Sequence, residues 1–482
     1  MDQLGKQHTV TAAGEDQKLQ VLSGAYDEVM ERIDDQLPDF RDLAKRVLSW
    51  ITCARRPLCV KELQHALAVE FDEKSEELDD ENLLEPSIMV SVCAGLVTID
   101  DETSVIRLVH YTTQGYFERT QASRFPNAHL DIAKTCAKYL SYEALSNQEP
   151  KQLFDGSPLY DYAAKHWGHH AREAETDCDE VMTFLQRDVQ TELSDGYHRR
   201  RYNGYHCMSG HPGQTRGIHL AAAFGLERAL RRLISITGGS TLDIPDQVGR
   251  TPLILAAAGG WEGVVTLLLA TGKVDVNRLD LRGLTALCAA ADRGREGVVR
   301  VLLATDHIDV DAWDHPRQST PDPTAETWDT LSGASGTPLC YAADIGDEGI
   351  VRLLLATGKV DVNARGRYRA TPIMYAAAHG HIEVVQLLLA TGRVNLEAWG
   401  RPSYWGNDGT PLHHAFESRD TAILYLLLQW ESSNRWRRNV GMIVRQLPLS
   451  PPELLLLHLL ARSSTNGRPK PTPPPGSRTP HT

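Results

Sequence analysis

The chain is 482 residues long, with 41% hydrophobic residues and 25 prolines, which suits two or three folded domains joined by loose segments. Its net charge of −13 argues against a general nucleic-acid surface, because such a surface needs a basic patch to release counterions. No apolar run approaches a membrane span and no apolar stretch follows the N-terminal Met1–His8, so the expectation is a cytoplasmic chain with no membrane or secretory segment.

Residues 1–22 carry no periodic pattern and are expected to be disordered. An amphipathic helix then begins near Tyr26, and helical spacing continues from Leu43 to Ile51. Arg56-Pro57-Leu58 breaks it, and Val60 to Val69 forms another short helix with Leu63, Ala66, Leu67 and Val69 on its apolar face. The acidic run from Glu70 to Glu85 reads as a solvated loop, since contiguous carboxylates rarely converge without a defined turn. Ile88 to Ala94 is helical and stops at Gly95. Leu96–Ile99 and Val105–His110, separated by Asp100–Ser104, give a hairpin signal. Helices followed by a hairpin outline a winged helix over residues 23–122, and the acids flanking Val60–Val69 argue against DNA binding. A helical extension over 123–192 follows. His166, His169 and His170 share a helix face there, but no carboxylate or cysteine completes a metal set, and no metal is expected.

The strings Ser49-Trp50-Ile51, Ala54–Leu58, His65–Val69, Cys93–Val97 and Arg107–Gln114, with Pro158–Ala171 further on, resemble the winged-helix and helical segments of fungal NACHT–ankyrin proteins, which are NLR-like STAND NTPases. The resemblance implies a nucleotide-binding NACHT module ahead of the winged helix. It also implies that His110, with Gln114 four residues on, stands where such proteins contact a nucleotide phosphate; Gly115 departs from that motif. It marks His166, Trp167 and His170 as packing positions. A phosphate-cradling loop needs Gly-Lys followed by Ser or Thr, whereas Gly5-Lys6, Gly272-Lys273 and Gly358-Lys359 precede Gln7, Val274 and Val360. Few residues precede Tyr26, so the chain reads as an incomplete member with no cofactor and no ATPase activity. Without a nucleotide site in cis, His110 reads as a partly buried structural histidine. The alternative is a regulatory half of a split STAND NTPase, in which His110 completes a nucleotide site in trans.

Leu193–Gln214, with Arg199-Arg200-Arg201, reads as a linker. From 215 to 430 a grammar recurs: Thr251-Pro252-Leu253, then Ala256-Ala257, Gly260, Val264-Val265 and Leu267–Leu269. Thr251 is placed to cap a helix, Pro252 suits its first position, and Gly260 suits a left-handed end. Thr285, Thr337 and Thr371 open the same frame, with Gly294, Gly346 and Gly380 nine residues on. Thr251 and Thr285 stand 34 residues apart, as do Thr337 and Thr371. Weaker units begin at Arg216 and Thr410, and Arg419 replaces the glycine in the last. Insertions fall near 313–335 and 399–408, the second bringing Trp399, Tyr404 and Trp405. The pattern resembles the ankyrin repeat, in about six copies, and implies stacked helix pairs in an α-solenoid. The expected fold class is mainly α, a winged-helix and helical module leading into ankyrin repeats.

The eight cysteines form no Cys-x-x-Cys pair, and Cys288 and Cys340 sit three past their threonines as small core residues. Leu447–Leu460 is expected to form a short apolar helix within the C-terminal segment 431–482, which is expected to be disordered from about 462. The ankyrin resemblance implies a non-enzymatic sensor or scaffold that binds protein partners on a concave face. Its contact positions fall on Arg250, Asp292, Arg293, Asp344, Ile345, Ala370, His379, Glu417 and Ser418, with Tyr368 on a finger and Trp405 on the second insertion.

Overall fold

The computed structural model describes residues 23–71, 77–143, 156–191, 215–313, 336–366, 368–402 and 407–434. The two termini, the 193–214 linker, most of the first insertion, and Tyr404 and Trp405 lie outside the described residues. Two compact units divide the chain, one to Asp275 and one from Val276.

The first unit opens with α1 (23–34), α2 (Pro38–Cys53), α3 (Val60–Ala68), α4 (Pro86–Ser91) and α5 (Tyr111–Arg124). Prolines start α2 and α4, where a missing N–H costs nothing. A three-stranded antiparallel sheet joins them: β1 (Leu58–Cys59), β2 (Val97–Ile99) and β3 (Val105–Leu108), in the order β1-β3-β2. The sheet and helices bury Met30, Ile33, Leu48, Leu58, Leu63, Met89 and Ile106 in one core. This is the expected winged helix with three corrections. The Pro57 break releases the chain into β1, a strand too short for alternation to betray. The helix expected to reach Ala94 ends at Ser91, and Ala94 and Gly95 turn left-handed to enter β2. Finally, β3 stops at Leu108, and His110 is the N-cap of α5.

The helical extension contributes α6 (Ala128–Leu140), α7 (Tyr160–Glu173) and α8 (Asp179–Leu185). A chain of polar groups ties it to the winged helix. The Arg55 backbone N–H donates to the Tyr162 hydroxyl at 3.1 Å, which lies 2.8 Å from His170 Nε2. His170 Nδ1 is 2.8 Å from His129 Nδ1, and His129 Nε2 is 3.0 Å from Glu173 Oε2. The Arg55 guanidinium closes the circuit on Glu173 Oε1 at 2.7 Å. With Glu173 ionised and both rings neutral, every donor meets an acceptor in one order only. Tyr162 donates to His170, His170 Nδ1–H donates to His129, and His129 Nε2–H donates to Glu173.

The first two repeats (helices Gly217–Phe224 and Glu227–Thr237, then Pro252–Gly259 and Glu262–Ala270) belong to this unit. Local packing explains why. A Cβ on Gly217 would overlap the Leu185 carbonyl of α8, the Phe224 ring packs edge-on against Trp167 of α7, and the Arg172 guanidinium stacks 4.4 Å from the Trp261 ring.

The second unit holds four repeats: Ala286–Asp292 with Glu296–Leu303, Pro338–Ile345 with Glu348–Ala356, Pro372–His379 with Ile382–Ala390, and Pro411–Glu417 with Thr421–Asn434. Thr251, Thr285 and Thr410 cap as expected, accepting from the backbone N–H three residues on. The Thr337 hydroxyl instead meets Cys340 Sγ. Gly260, Gly346 and Gly380 end their helices left-handed. Arg419 adopts the same conformation, φ 57°, without the glycine that makes it cheap. Fingers are laced by side chains at a fixed offset. Asn277 Oδ1 accepts from Asp309 N, Asp311 Oδ2 from Asp361 N, and Asn363 Oδ1 from Asn395 N. The middle bond spans the first insertion, so those added residues leave the register of the flanking fingers intact.

Candidate partner-binding surface

In the second unit the inner helices stand side by side, and equivalent positions at their C-terminal ends form a row. Asp292 and Arg293 pair with one another at 3.3 Å on the third repeat. Burial pushes the Asp292 carboxyl up; Arg293 and Arg282 pull it down, and the nearby Asp344 raises it further. Ile345 beside Asp344 is 41% exposed, a branched apolar side chain held out to solvent. On the next repeat His379 Nδ1 lies 3.0 Å from Asp344 Oδ1, and that carboxylate raises the His379 pKa against the opposing effect of burial. Asp292, Arg293, Asp344, Ile345 and His379 are therefore brought together as one polar row with one apolar member.

Other expected contact residues are placed differently. Arg250 is occupied: its guanidinium pairs at 2.8 Å with Asp246, a buried carboxylate that also accepts from the backbone N–H of Val248 and Arg250. Ala370 is buried, because its carbonyl closes the finger turn onto Gly366 N. Glu417 is exposed but accepts from Asn407 at 2.6 Å and sits 3.4 Å from His413. The Ser418 hydroxyl donates to the Ala377 and Ala415 carbonyls. Tyr368 is half-buried beneath the Arg401 guanidinium, 4.6 Å from its ring centre. Trp399 is 51% exposed. Trp405 lies outside the described residues.

Sequence reasoning missed the buried aspartates that build the fingers. Asp280 repeats the role of Asp246, accepting from Arg282 N and Leu284 N and pairing with the Arg282 side chain. The signal was available: each aspartate stands five residues before its threonine, with a glycine three residues after it.

His110 is exposed rather than partly buried. Its Nδ1 accepts from Thr112 N and meets the Thr112 hydroxyl at 2.8 Å, while its ring lies on Tyr111, itself 79% exposed. Helix α5 runs unbroken through Gly115. Among the described residues no group of three or more His, Cys, Asp or Glu gathers as a metal set. His170, of the three helical histidines, is enclosed by the relay described above. No described helix is long and apolar enough to cross a membrane. Cys288 and Cys340 are free thiols, buried as expected, and burial pushes both up to about 12.

Similarity to known proteins agrees with this architecture. Residues 30–127 match the winged helix domain of GPI inositol-deacylase, and residues 218–314 and 325–398 match ankyrin repeats. A curated relative, the azaphilone pigments biosynthesis cluster protein L of Monascus ruber, is 29% identical over 190 residues, spanning 36% of this chain and 39% of that protein. A winged-helix domain and ankyrin repeats, the latter a protein-interaction module, are thus established together in one chain.

Proposed function

We propose that this chain is a non-enzymatic, cytoplasmic scaffold or sensor of an NLR-like signalling system, holding a protein partner on the face formed by its inner repeat helices. The observation that carries the reading is the row Asp292, Arg293, Asp344, Ile345 and His379, whose side chains stand at equivalent positions of successive helices while the helices' other faces are buried. Mixed charge along such a row favours a specific partner over steering by one sign of charge. The test compares affinity capture by the wild-type chain with capture by an Arg293→Glu, His379→Ala double variant, read by mass spectrometry. Selective loss of one partner with unchanged circular dichroism is expected. An identical capture profile refutes the row as the contact surface.

A second reading rests on His110. Its Nε2 makes no hydrogen bond among the described residues, so the ring is free to meet a phosphate offered by a separate NACHT chain. A thermal shift with ADP or ATP that requires both that chain and His110 supports it. Phosphate release by this chain alone, above background, contradicts the non-enzymatic reading.

A further inference from the structure

The fingers between the fourth and fifth repeats and between the fifth and sixth together carry a cationic, aromatic tip. Arginines on the outer repeat helices are neutralised locally: Arg300 pairs with Glu296 at 2.7 Å and Arg352 with Glu348 at 2.6 Å, each one helical turn away. Arg365 and Arg369 are exposed and make no ion pair among the described residues. This occurs in a chain with 63 acidic residues against 50 basic ones, where carboxylate partners are abundant.

Backbone hydrogen bonds tie the described parts of the tip together. Gly366 N donates to the Ala370 carbonyl and Arg369 N to the Gly366 carbonyl, closing a turn. Arg401 N donates to the Tyr368 carbonyl at 3.1 Å, and Gly400 exchanges backbone hydrogen bonds with Gly409. These bonds hold the Arg369 and Arg401 backbones side by side in a parallel bridge. The Arg401 guanidinium is fixed over the Tyr368 ring, and Trp399 stands exposed two residues before it. Arg369 itself has φ 60°, a left-handed conformation in which glycine would be unstrained. Gly249 and Gly283 take that conformation two residues before their own threonines, so the finger turn fixes it and the arginine side chain is presented from a set backbone.

We propose that this tip, formed by Arg365, Arg369, Arg401, Tyr368 and Trp399, receives an acidic segment of the protein partner. The inference rests on the protein-binding reading above and adds the chemistry of the partner. Arginines recognise carboxylates through paired N–H donors, and the rings supply apolar contact for the residues between them. A protein segment fits better than a nucleic acid. A phosphate backbone needs a long basic track, and the net charge of −13 repels a polyanion beyond the tip.

The test is fluorescence anisotropy of the full chain with a labelled peptide of Glu, Asp and Gly around one Phe. A Lys-based peptide, a single-stranded oligodeoxynucleotide and phosphatidylserine vesicles serve as competing probes. The acidic peptide should bind, weaken about tenfold between low and physiological salt, and weaken about tenfold again in an Arg365→Glu, Arg401→Glu variant. Arg369→Gly should also weaken binding while melting no lower than the wild type. The inference is overturned by failure of the acidic peptide to bind, by binding indifferent to these substitutions, by tighter binding of the oligonucleotide or vesicles, or by a lower melting temperature for Arg369→Gly. Partner capture that depends on Arg293 and His379 but not on the finger arginines removes the acidic-segment inference and leaves the scaffold reading standing. Capture indifferent to both sets removes both.

Discussion

Acid should open the junction between the winged helix and the helical extension before it unfolds the rest of the chain, and His170 sets the magnitude. The ring is fully buried and both its nitrogens are engaged. Burial first, then the neighbouring His129, Arg55, His166 and His169, push its pKa from the ordinary 6.5 down to about 3. The charge-bearing groups around it are those histidines, Arg55 and, through His129, Glu173; no carboxylate touches the ring directly. The folded pKa lies below the unfolded one, so the unfolded chain takes up the proton first. Above pH 6.5 the site costs nothing, and stability drains as pH falls from there towards 3. The linkage amounts to about 3 kcal/mol at pH 4.5 and about 4 kcal/mol at pH 3. Hydrogen exchange of the Tyr160–Glu173 helix, corrected for intrinsic rates, reads this locally. Protection of that helix should fall by about 3 kcal/mol between pH 7 and pH 4.5. A His170→Phe variant should be weaker at pH 7, because it removes the acceptor of the Tyr162 O–H and the donor to His129 Nδ1, yet show a shallower pH dependence than the wild type. Equal slopes in the two proteins would refute the assignment of the proton to His170.

Replacing Asp280 with Ala strands the Arg282 and Leu284 N–H groups and removes the carboxylate that pairs with the Arg282 side chain. A loss of about 3 kcal/mol is expected, measured by urea unfolding of the second-unit fluorescence. In Gly400→Ala the new methyl overlaps the Arg369 backbone. About 1–3 kcal/mol should be lost, with faster exchange confined to the fingers of the fourth and fifth repeats. Cys288 and Cys340 should resist iodoacetamide at pH 8 in the folded protein, since both are buried and their thiols lie near 12; peptide mapping checks this. His379 contributes stability present below pH 6.5 and lost as pH rises through its raised folded value, and His379→Gln should remove that dependence from the thermal melting curve.

The repeats were legible because one physical demand fixes each of their positions. A threonine hydroxyl caps, a proline starts a helix, a glycine turns left-handed, and the apolar residues fill what stacking buries. Even where a letter changed, the demand persisted, as Arg419 shows by taking the glycine's conformation. The winged helix was legible in outline from its helix spacing and hairpin. Its first strand was not, because two residues carry no alternation and Leu58–Cys59 becomes a strand only by pairing with Val105 and Ile106, nearly fifty residues on. The histidine relay was invisible for the same reason: His129, His170, Tyr162 and Arg55 meet only when three separated segments pack.

Contact residues were the least legible, and the cause lies in what a repeat must do with its polar groups. Positional analogy treats the residue before each threonine as available, yet Arg250 is committed to Asp246 inside its own finger. It likewise treats the helix end as available, yet Glu417 and Ser418 are bonded within and between helices. A side chain already satisfied by its own chain gains little from a partner, because forming the new contact first costs the old one. The positions able to supply net binding are therefore those that the fold leaves unsatisfied or merely exposed. On the inner helices that criterion selects Ile345 and the outer faces of Arg293 and His379. On the fingers it selects Arg365, Arg369 and Trp399. These two groups differ in chemistry, one mixed and partly apolar, the other cationic, so a partner that satisfies both must present an acidic stretch beside a segment of mixed character.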